Sequence, residues 1–516
     1  MAEISLVVNA HREGSGAHPT IRSLIAMLAQ ATASGLSVEV VVVFDRSDDA
    51  TRFQIGALRR YVDPSLLVVV EVDEGDLGAA RMHGVAASSS EHIAWCDADD
   101  LYSASWLTSA VTALREAKRD VVVHPAWLFS FGQRCDRIEI LPSEGSDLDL
   151  GIMPAFNPWT SMAATTRTVL EAHPFTRNAL EEGFGPEDWH WNLETLFAGV
   201  AHLVAPETAV FYRVKHDGSL WQSQATRGVT LRPTPLLSDP EWAQRYAAIA
   251  VGNGEEAPMS RTQRFAQRFP ALTLPIRLAT RKFRPVPASS TPSDQGAESW
   301  MLAAFEAAIA CEPAIPPLAF YLSQGPAWRA RFDAYCSSYW KAVAVLGRNI
   351  DRLFVVSKHL DDDEVAFVNC YASDHPEETV GLWCEYPDEG LMARLHPLIR
   401  AVSATMDMEP RNGGARSGER LLATLVVQLR PEVLHVLHSA VGHRALATFS
   451  AAMLKHSNLE LRLRPIATDT HGAPMSWYFD YPTDPSRLQE ITVASQADAD
   501  LISDITGADL AHFQVR

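Results

Sequence analysis

The chain has 516 residues, of which 47% are hydrophobic and 21% charged, a balance typical of globular proteins with roughly two to four domains. Its formal net charge is −19, which argues against a nucleic-acid partner because that function needs clustered Lys and Arg. The six cysteines are scattered without a CxxC pair. This pattern excludes a zinc knuckle and suits a reducing compartment.

The start of the chain has neither a basic segment nor a small-residue cleavage site, so no secretory signal is predicted. The longest apolar runs are too short to cross a bilayer. We therefore expect a cytoplasmic protein, and peripheral contact with the inner face of the membrane stays open.

Strand and helix patterns alternate through the first 130 residues. The apolar runs are hydrophobic on both faces, which predicts a parallel sheet covered by helices. Ligands of such sheets bind beyond the carboxyl ends of the strands, here near residues 9–13, 45–49, 73–78 and 97–100. We predict strands at 4–8, 38–44, 66–72, 92–96 and 121–124, and helices at 20–32, 49–61, 78–87 and 104–118.

The remaining chain divides by composition. Residues 130–230 are irregular, 253–297 mix Pro, Ser and charge, and 298–348 are helical in pattern. We predict an α/β domain over 1–252, a linker with a helical region over 253–348, and a second α/β domain over 349–516. The last domain has predicted strands at 353–356, 365–369, 380–385, 433–437, 459–465 and 490–494, and helices at 418–429 and 442–454.

The motif "HIAWCDADD" places three carboxylates at the end of a buried strand. Residues i and i+2 of an extended chain face the same way, so Asp97 and Asp99 can approach one cation. Mg²⁺ and Mn²⁺ favour carboxylate oxygens. A solvated acidic turn, or a helix cap at Asp100, is the competing interpretation.

Five segments in order resemble family-2 glycosyltransferases of the inverting GT-A type. They are "ISLVVNAHRE", "VVVFDRSDDAT", "GDLGAARMHGVAASSSEHIAWCDADD", "GFGPEDWHW" and "FYRVKHDGSLW". Met82 stands where that family usually has Asn, and Asn9-Ala10-His11 replaces a Pro-Thr-Tyr-like sequence. The resemblance implies a GT-A fold and a Mn²⁺ or Mg²⁺ cofactor over residues 3–225.

The same resemblance assigns roles to residues. Asp188 is the expected base, ionised at a helix N-terminus, with a plain capping acid as the alternative; Glu187 lies on the acceptor side. The implied metal ligands are Asp97, Asp99 and His216, with a diphosphate contact or an ordinary loop histidine as the alternatives for His216. The implied nucleotide-sugar contacts are Asn9, His11, Glu13, Asp45, Gly78, Arg81, Asp97, Arg213 and Ser219.

The segments "RLFVVSKHL" and "PEVLHVLHS" resemble the N-terminal, acceptor-side Rossmann domain of a family-4-like GT-B glycosyltransferase. In that family a second Rossmann domain binds most of the donor, and no such domain follows here. We therefore expect this Rossmann-like half not to transfer sugar by itself. It is either part of a longer bifunctional protein or a unit for acceptor binding or association.

The predicted function is metal-dependent transfer of a hexose from a UDP-, GDP- or dTDP-sugar to a saccharide or lipid-linked saccharide. The resemblance implies a setting in bacterial surface polysaccharide synthesis, such as O-antigen or capsule. A nucleotidyltransferase is disfavoured because "NAHREGSGAH" lacks a basic phosphate loop, and an oxidoreductase because no GxGxxG follows a strand. A non-catalytic nucleotide-sugar or glycan-binding protein remains the alternative of a different class.

Overall fold

The computed structural model describes residues 2–215, 224, 227–252, 298–323, 333–356, 360–385, 389–403, 417–463, 487–506 and 509–515. The described part contains two sheets. The linker segment 253–297, with its predicted helices at 261–269 and 275–282, lies outside it. No described helix is long and apolar enough to cross a membrane.

The first sheet has nine described strands in the order β3-β2-β1-β4-β8-β6-β9-β5, with β7 paired to β6. Four parallel strands, β1 to β4, form one half, as the apolar runs predict. The other half is mixed, because β8, β5 and β7 pair antiparallel, so the parallel arrangement predicted from the first 130 residues does not extend through the whole sheet. The strands are β1 Ile4–Ala10, β2 Val38–Asp45, β3 Leu67–Val72, β4 His92–Asp97, β5 Leu101–Tyr102, β6 Val121–Gly132, β7 Arg137–Glu139, β8 Ala164–Thr166 and β9 Ala201–Val214.

Helices cover this sheet on both faces, and their apolar stripes form two separate clusters beneath them. Helix α3 packs closely on the sheet at Gly84, because a Cβ there would lie 2.3 Å from Val7 Cγ1. The helices are α1 Ala17–Ala33, α2 Asp49–Ile55, α3 Leu77–Ala87, α4 Trp106–Ala117, α5 Arg167–Ala172, α6 Glu187–Phe197, α7 Pro240–Gly252, α8 Ser299–Cys311, α9 Leu318–Leu322 and α10 Asp333–Leu346.

The second sheet has seven described strands, all parallel, in the order β12-β11-β10-β13-β14-β15-β16. Its strands are β10 Arg352–Val356, β11 Val380–Cys384, β12 Arg400–Ser403, β13 Val433–Leu437, β14 Asn458–Arg462, β15 Leu488–Val493 and β16 Phe513–Val515. Its helices are α11 Asp362–Asp374, α12 Glu389–Met392, α13 Ser417–Leu429, α14 Ala440–Met453 and α15 Gln496–Thr506. The relation of this sheet to half of a GT-B enzyme stays a prediction.

One sequence prediction in this half is wrong. Residues 365–369 form part of helix α11 and not a strand. A capping box between Asp361 and Glu364 starts the helix, and the buried residues Val365, Val368 and Ala372 follow helical spacing. The short apolar run resembles a strand because the next buried position of the helix, Ala372, lies outside the run.

A continuous apolar core joins the two sheets through α7, α10 and α13. Trp340 Nε1 donates to Gly151 O at 2.7 Å, and Tyr339 OH donates to Leu237 O at 2.8 Å. Helices α8 and α9 pack instead on the first sheet, where Phe305 meets Phe129 edge to face. We call residues 2–252, which contain the first sheet, the first unit, and residues 351–515, which contain the second sheet, the second unit.

Candidate active site

Strand β4 brings Asp97 to the carboxyl edge of the first sheet, where it pairs in register with Asn9 of β1. The Tyr102 hydroxyl accepts from Asp97 N at 2.9 Å and donates to Asp97 O at 2.7 Å. Ala98 N also donates to Asn9 O at 3.0 Å. These contacts fix the backbone of the acidic motif at the centre of the sheet, as the motif predicts.

Arg81 connects this strand end to a distant loop. Its side chain is 1% exposed, with Nη1 2.8 Å from Glu187 Oε1 and Nη2 3.2 Å from Asp97 Oδ2. Burial acts to lower the pKa of the guanidinium, but Asp97 and Glu187 raise it, so Arg81 stays charged. A single buried cation thus holds two predicted site segments together.

Two amides that the sequence analysis missed orient the acids at the start of α6. Asn178 Nδ2 donates to Glu187 Oε2 at 2.8 Å, and Asn157 Nδ2 reaches Asp188 Oδ2 at 3.4 Å. Asn157 Oδ1 in turn accepts from Asn192 Nδ2 at 3.0 Å. Asn157 and Asn178 both lie in the irregular stretch, where no periodic pattern marks them.

Asp188 differs from the expectation that a helix N-terminus would keep it ionised. Burial, followed by the charge of Glu187, raises its pKa to about 7. The helix dipole is outweighed because the carboxylate is removed from water beside another acid. A carboxyl group that titrates near neutral pH is suited to accept a proton during a reaction.

The other acids of the motif have cationic or amide partners. Lys215 Nζ lies 2.7 Å from Asp99 Oδ2, and Arg213 Nε donates to Asp99 O at 3.0 Å. Asp100 accepts from Arg213 N at 2.8 Å, and burial raises the pKa of Asp100 well above its usual range. Asp100 therefore holds the end of β9, while the side chains of Asp97 and Asp99 stay 20% and 22% exposed.

The described residues include no group of three or more His, Cys, Asp or Glu side chains arranged to hold a metal ion. Asp97 and Asp99 still supply the oxygen ligands that Mg²⁺ and Mn²⁺ prefer. The third predicted ligand, His216, and the predicted nucleotide contact Ser219 lie outside the described residues. A divalent ion at Asp99 would compete with the Lys215 ammonium.

Tyr212 is a further site residue that sequence reasoning did not single out. Burial and then the charges of Asp100, Asp99 and Asp188 raise the pKa of its phenol. Its hydroxyl thus remains protonated among the carboxylates and can act as a donor to a ligand oxygen. Tyr212 could have been found from the sequence, because it lies in the segment "FYRVKHDGSLW" one residue before Arg213.

The predicted nucleotide loops meet beside the acidic motif. Neither polar atom of the buried Asn9 amide has a hydrogen-bond partner among the described residues, as expected of a group that awaits a ligand. His11 Nδ1 lies 2.6 Å from Asp45 O, and His11 N donates to Glu13 Oε2 at 2.7 Å. Burial, then Asp99, raises the pKa of Glu13 to about 7.

Asp45 and Gly78 shape this loop cluster. The Asp45 carboxylate accepts from the backbone amides of Glu74, Gly75 and Asp76 at 2.9, 2.8 and 3.0 Å, so it organises the loop before α3. A Cβ at Gly78 would lie 2.4 Å from Thr176 O. That close approach brings the segment carrying Thr176 and Asn178 to the nucleotide loop.

Comparison with known protein families finds a match to one segment of the chain. Residues 5–134 match the model of "Glycosyl transferase family 2", which confirms the predicted resemblance there and includes Asp97 and Asp99. No curated protein matches the chain.

Among solved structures, the chain is similar at low level to several transferases. S. aureus TarS 1-349 in complex with UDP-GlcNAc is 15% identical over 66% of this chain and 90% of that one, with a TM-score of 0.34. The mannosyltransferase PcManGT from Pyrobaculum calidifontis in complex with GDP-Man and Mn²⁺ is 18% identical over 67% and 86%, with a TM-score of 0.31. TM-scores this low establish neither a shared fold nor a shared ligand.

Proposed function

We propose that the first unit is an inverting glycosyltransferase. It transfers a sugar from a nucleoside-diphosphate sugar to a hydroxyl of a saccharide or lipid-linked acceptor. Asp97 and Asp99 face the donor diphosphate, and Asp188 is the base. The observation that carries this proposal is the Arg81 bridge, which connects the acidic motif to the loop of Glu187 and Asp188.

The bridge matters because inverting transfer needs two groups on opposite sides of one carbon atom. The acceptor hydroxyl gives its proton to the Asp188 carboxylate as its oxygen bonds to the anomeric carbon. The bond from that carbon to the phosphate oxygen breaks, and its electron pair leaves on the nucleoside diphosphate. Asp188, with a pKa raised to about 7 by burial and Glu187, is matched to this step at neutral pH.

Cationic groups on the donor side complement the negative charge of the leaving diphosphate. Arg213 near the end of β9 and Lys215 just after it contact the acidic motif, and the Tyr212 hydroxyl is a neutral donor in the same segment. Asp97 and Asp99 would hold Mn²⁺ or Mg²⁺, which supplies Lewis-acid neutralisation of the diphosphate when bound. The unpaired Asn9 amide suits a contact with the nucleotide.

The test is a transfer assay of the full chain with Mn²⁺ and a panel of UDP-, GDP- and dTDP-sugars, measuring release of the nucleoside diphosphate. For the active donor, Asp188→Asn should lower kcat by about 10²- to 10⁴-fold, because the base is removed. Binding of the nucleoside diphosphate, measured by calorimetry, should stay unchanged.

Glu194→Gln, on the same helix, is the matched control and should retain full kcat. A wild-type chain that binds a sugar nucleotide but never releases its diphosphate would favour the binding-protein alternative. Retention of wild-type kcat by Asp188→Asn would remove Asp188 from the role of base.

A further inference from the structure

We infer that helices α13 and α14 of the second unit position the base loop of the first, with Gln428 as the principal positioning residue. The inference rests on the proposed function, because it assigns the second unit a part in orienting Asp188. The base loop is residues 183–186, which directly precede Glu187 and Asp188 in α6.

The base loop is held by a neighbouring segment, residues 230–234. Thr230 N donates to Gly183 O at 2.9 Å, and Gly185 N donates to Thr230 O at 3.1 Å. These reciprocal bonds form an isolated parallel β-bridge between Phe184 and Thr230. Any displacement of residue 230 is therefore passed to the loop two residues before the acids.

The side-chain amide of Gln428, in α13, makes three hydrogen bonds to the backbone of the 230–234 segment. Its Oε1 accepts from Thr234 N at 2.8 Å, and its Nε2 donates to Arg232 O at 3.0 Å and Leu231 O at 3.3 Å. The side chain is 3% exposed. Water has little access to these backbone groups, so they depend on Gln428 for their hydrogen bonds.

The base loop also packs directly on the second unit. Phe184 forms a buried cluster with Val427 of α13 and Ala452 of α14. Gly183 adopts a φ of +78°, and a Cβ there would lie 2.9 Å from Ala452 N. The loop thus rests on two helices whose other faces belong to the core of the second sheet.

Among the described residues, the donor side is linked to the base loop through Arg81, which contacts both Asp97 and Glu187. The other contacts of Asp97 and Asp99, with β1, Tyr102, Lys215 and Arg213, all come from residues 2–252. A disturbance of α13 should therefore misplace the base while leaving the donor site intact. Small misplacements of a reacting group reduce catalysis strongly without a matching loss of binding.

The experiment uses Gln428→Met, which keeps the side-chain volume and removes all three hydrogen bonds. We expect kcat to fall by about 10- to 100-fold with the KM for the sugar nucleotide unchanged. Hydrogen–deuterium exchange of the peptide covering 179–189 should accelerate, because the bonds of Phe184 N and Gly185 N open more often. Thr424→Val, which removes the 3.5 Å contact with Thr230 Oγ1, is a milder variant expected to act in the same direction.

Val368→Ala is the matched control. Val368 is buried in α11, on the opposite face of the second sheet, so it should destabilise that unit without changing kcat or the exchange of 179–189. Unchanged exchange in Gln428→Met, or a kcat no lower than that of Val368→Ala, would overturn the inference. If exchange accelerates but even the wild-type chain transfers no sugar, the support of the loop stands and the proposed function fails.

Discussion

Two partly buried carboxylates, one in each unit, have opposite electrostatic environments. In the first unit, burial and Glu187 raise the pKa of Asp188 to about 7. In the second, Glu460 of β14 lies 2.5 Å from Arg352 Nη1 and 2.9 Å from His435 Nδ1. Burial acts to raise its pKa, but the bonds to His435 and Arg352 hold the pKa at about 2.

The difference separates a carboxylate that stabilises the fold from one kept for chemistry. Glu460 has the cation Arg352 to itself and a hydrogen bond to His435, whereas among the described residues Arg81 serves both Asp97 and Glu187 and lies near Asp188. Crowded acids with too few cations cost folding energy that a bound cation or proton recovers. The first unit therefore has the electrostatics of a functional site.

The carboxyl edges of the two sheets differ in the same way. At the second edge, Glu385 accepts from Ser439 Oγ at 2.5 Å and Val441 N at 2.9 Å. It thus fills the N-terminus of α14, where the phosphate of a ligand would otherwise bind. At the first edge the Asn9 amide is unpaired among the described residues. This contrast favours a supporting role for the second unit over nucleotide binding at that edge.

The largest expected effect is on the stability of two variants that each remove one of these charges, and it tests directly whether the two carboxylates differ. At pH 8, Glu460→Gln should lower the free energy of unfolding by about 3 kcal/mol, because Arg352 loses its partner. Asp188→Asn should raise it by about 1–2 kcal/mol, because a crowded charge disappears. Urea unfolding in the presence of EDTA measures both.

The free energy of unfolding should depend on pH in opposite directions for the two carboxylates. The depressed pKa of Glu460 gives stabilisation that is present above its ordinary pKa of 4.5 and lost as pH falls towards 2. The raised pKa of Asp188 has the opposite effect, since wild-type stability falls as pH rises from 3.8 to about 7. If both variants changed the free energy of unfolding by equal amounts in the same direction, the proposed difference between the two units would be wrong.

The pH dependence of transfer sharpens the role of Asp188. With saturating donor and Mn²⁺, kcat should be about tenfold lower at pH 6 than at pH 8, because only the ionised carboxylate accepts a proton. Glu13 also has a pKa near 7, so Glu13→Gln is the control and should keep the slope. A flat profile from pH 5 to 9 would contradict Asp188 as the base.

The sequence predicted the first half of the fold well because its strands are apolar on both faces. Residues 38–44 and 92–96 were placed within one residue of β2 and β4. The irregular stretch was harder, since β9 carries polar residues that pair across a mixed sheet. Helix α11 was missed because the four-residue apolar run at 365–368 does not distinguish a strand from a buried helix.

The acids of the site could be predicted from local motifs, but their partners could not. The Arg81 bridge spans 106 positions, and Asn157 and Asn178 follow no spacing rule. The raised pKa of Asp188 arises from burial beside Glu187, which only the folded chain shows. The assignments of Asn9, His11, Glu13, Gly78 and Arg213 to the donor nucleotide stay predictions.

The Lys215–Asp99 pair provides the smallest and most specific prediction. The ammonium lies 2.7 Å from Asp99 Oδ2, and although burial acts to lower the pKa of Lys215, Asp99 raises it. A divalent ion must therefore displace a charged lysine. Lys215→Met should strengthen binding of Mn²⁺ alone by about threefold to tenfold, measured by calorimetry with MnCl₂.

Lys118→Met makes the same change in net charge at an exposed position beyond α4, and it should leave Mn²⁺ affinity unaltered. Tighter binding in Lys215→Met alone would place the ion at Asp99, because only there does the lysine compete with it. Unchanged or weaker binding would mean that Asp99 belongs to the ion pair and not to a metal site. In that case Lys215 itself would be the cation that faces the diphosphate, and transfer should persist in EDTA.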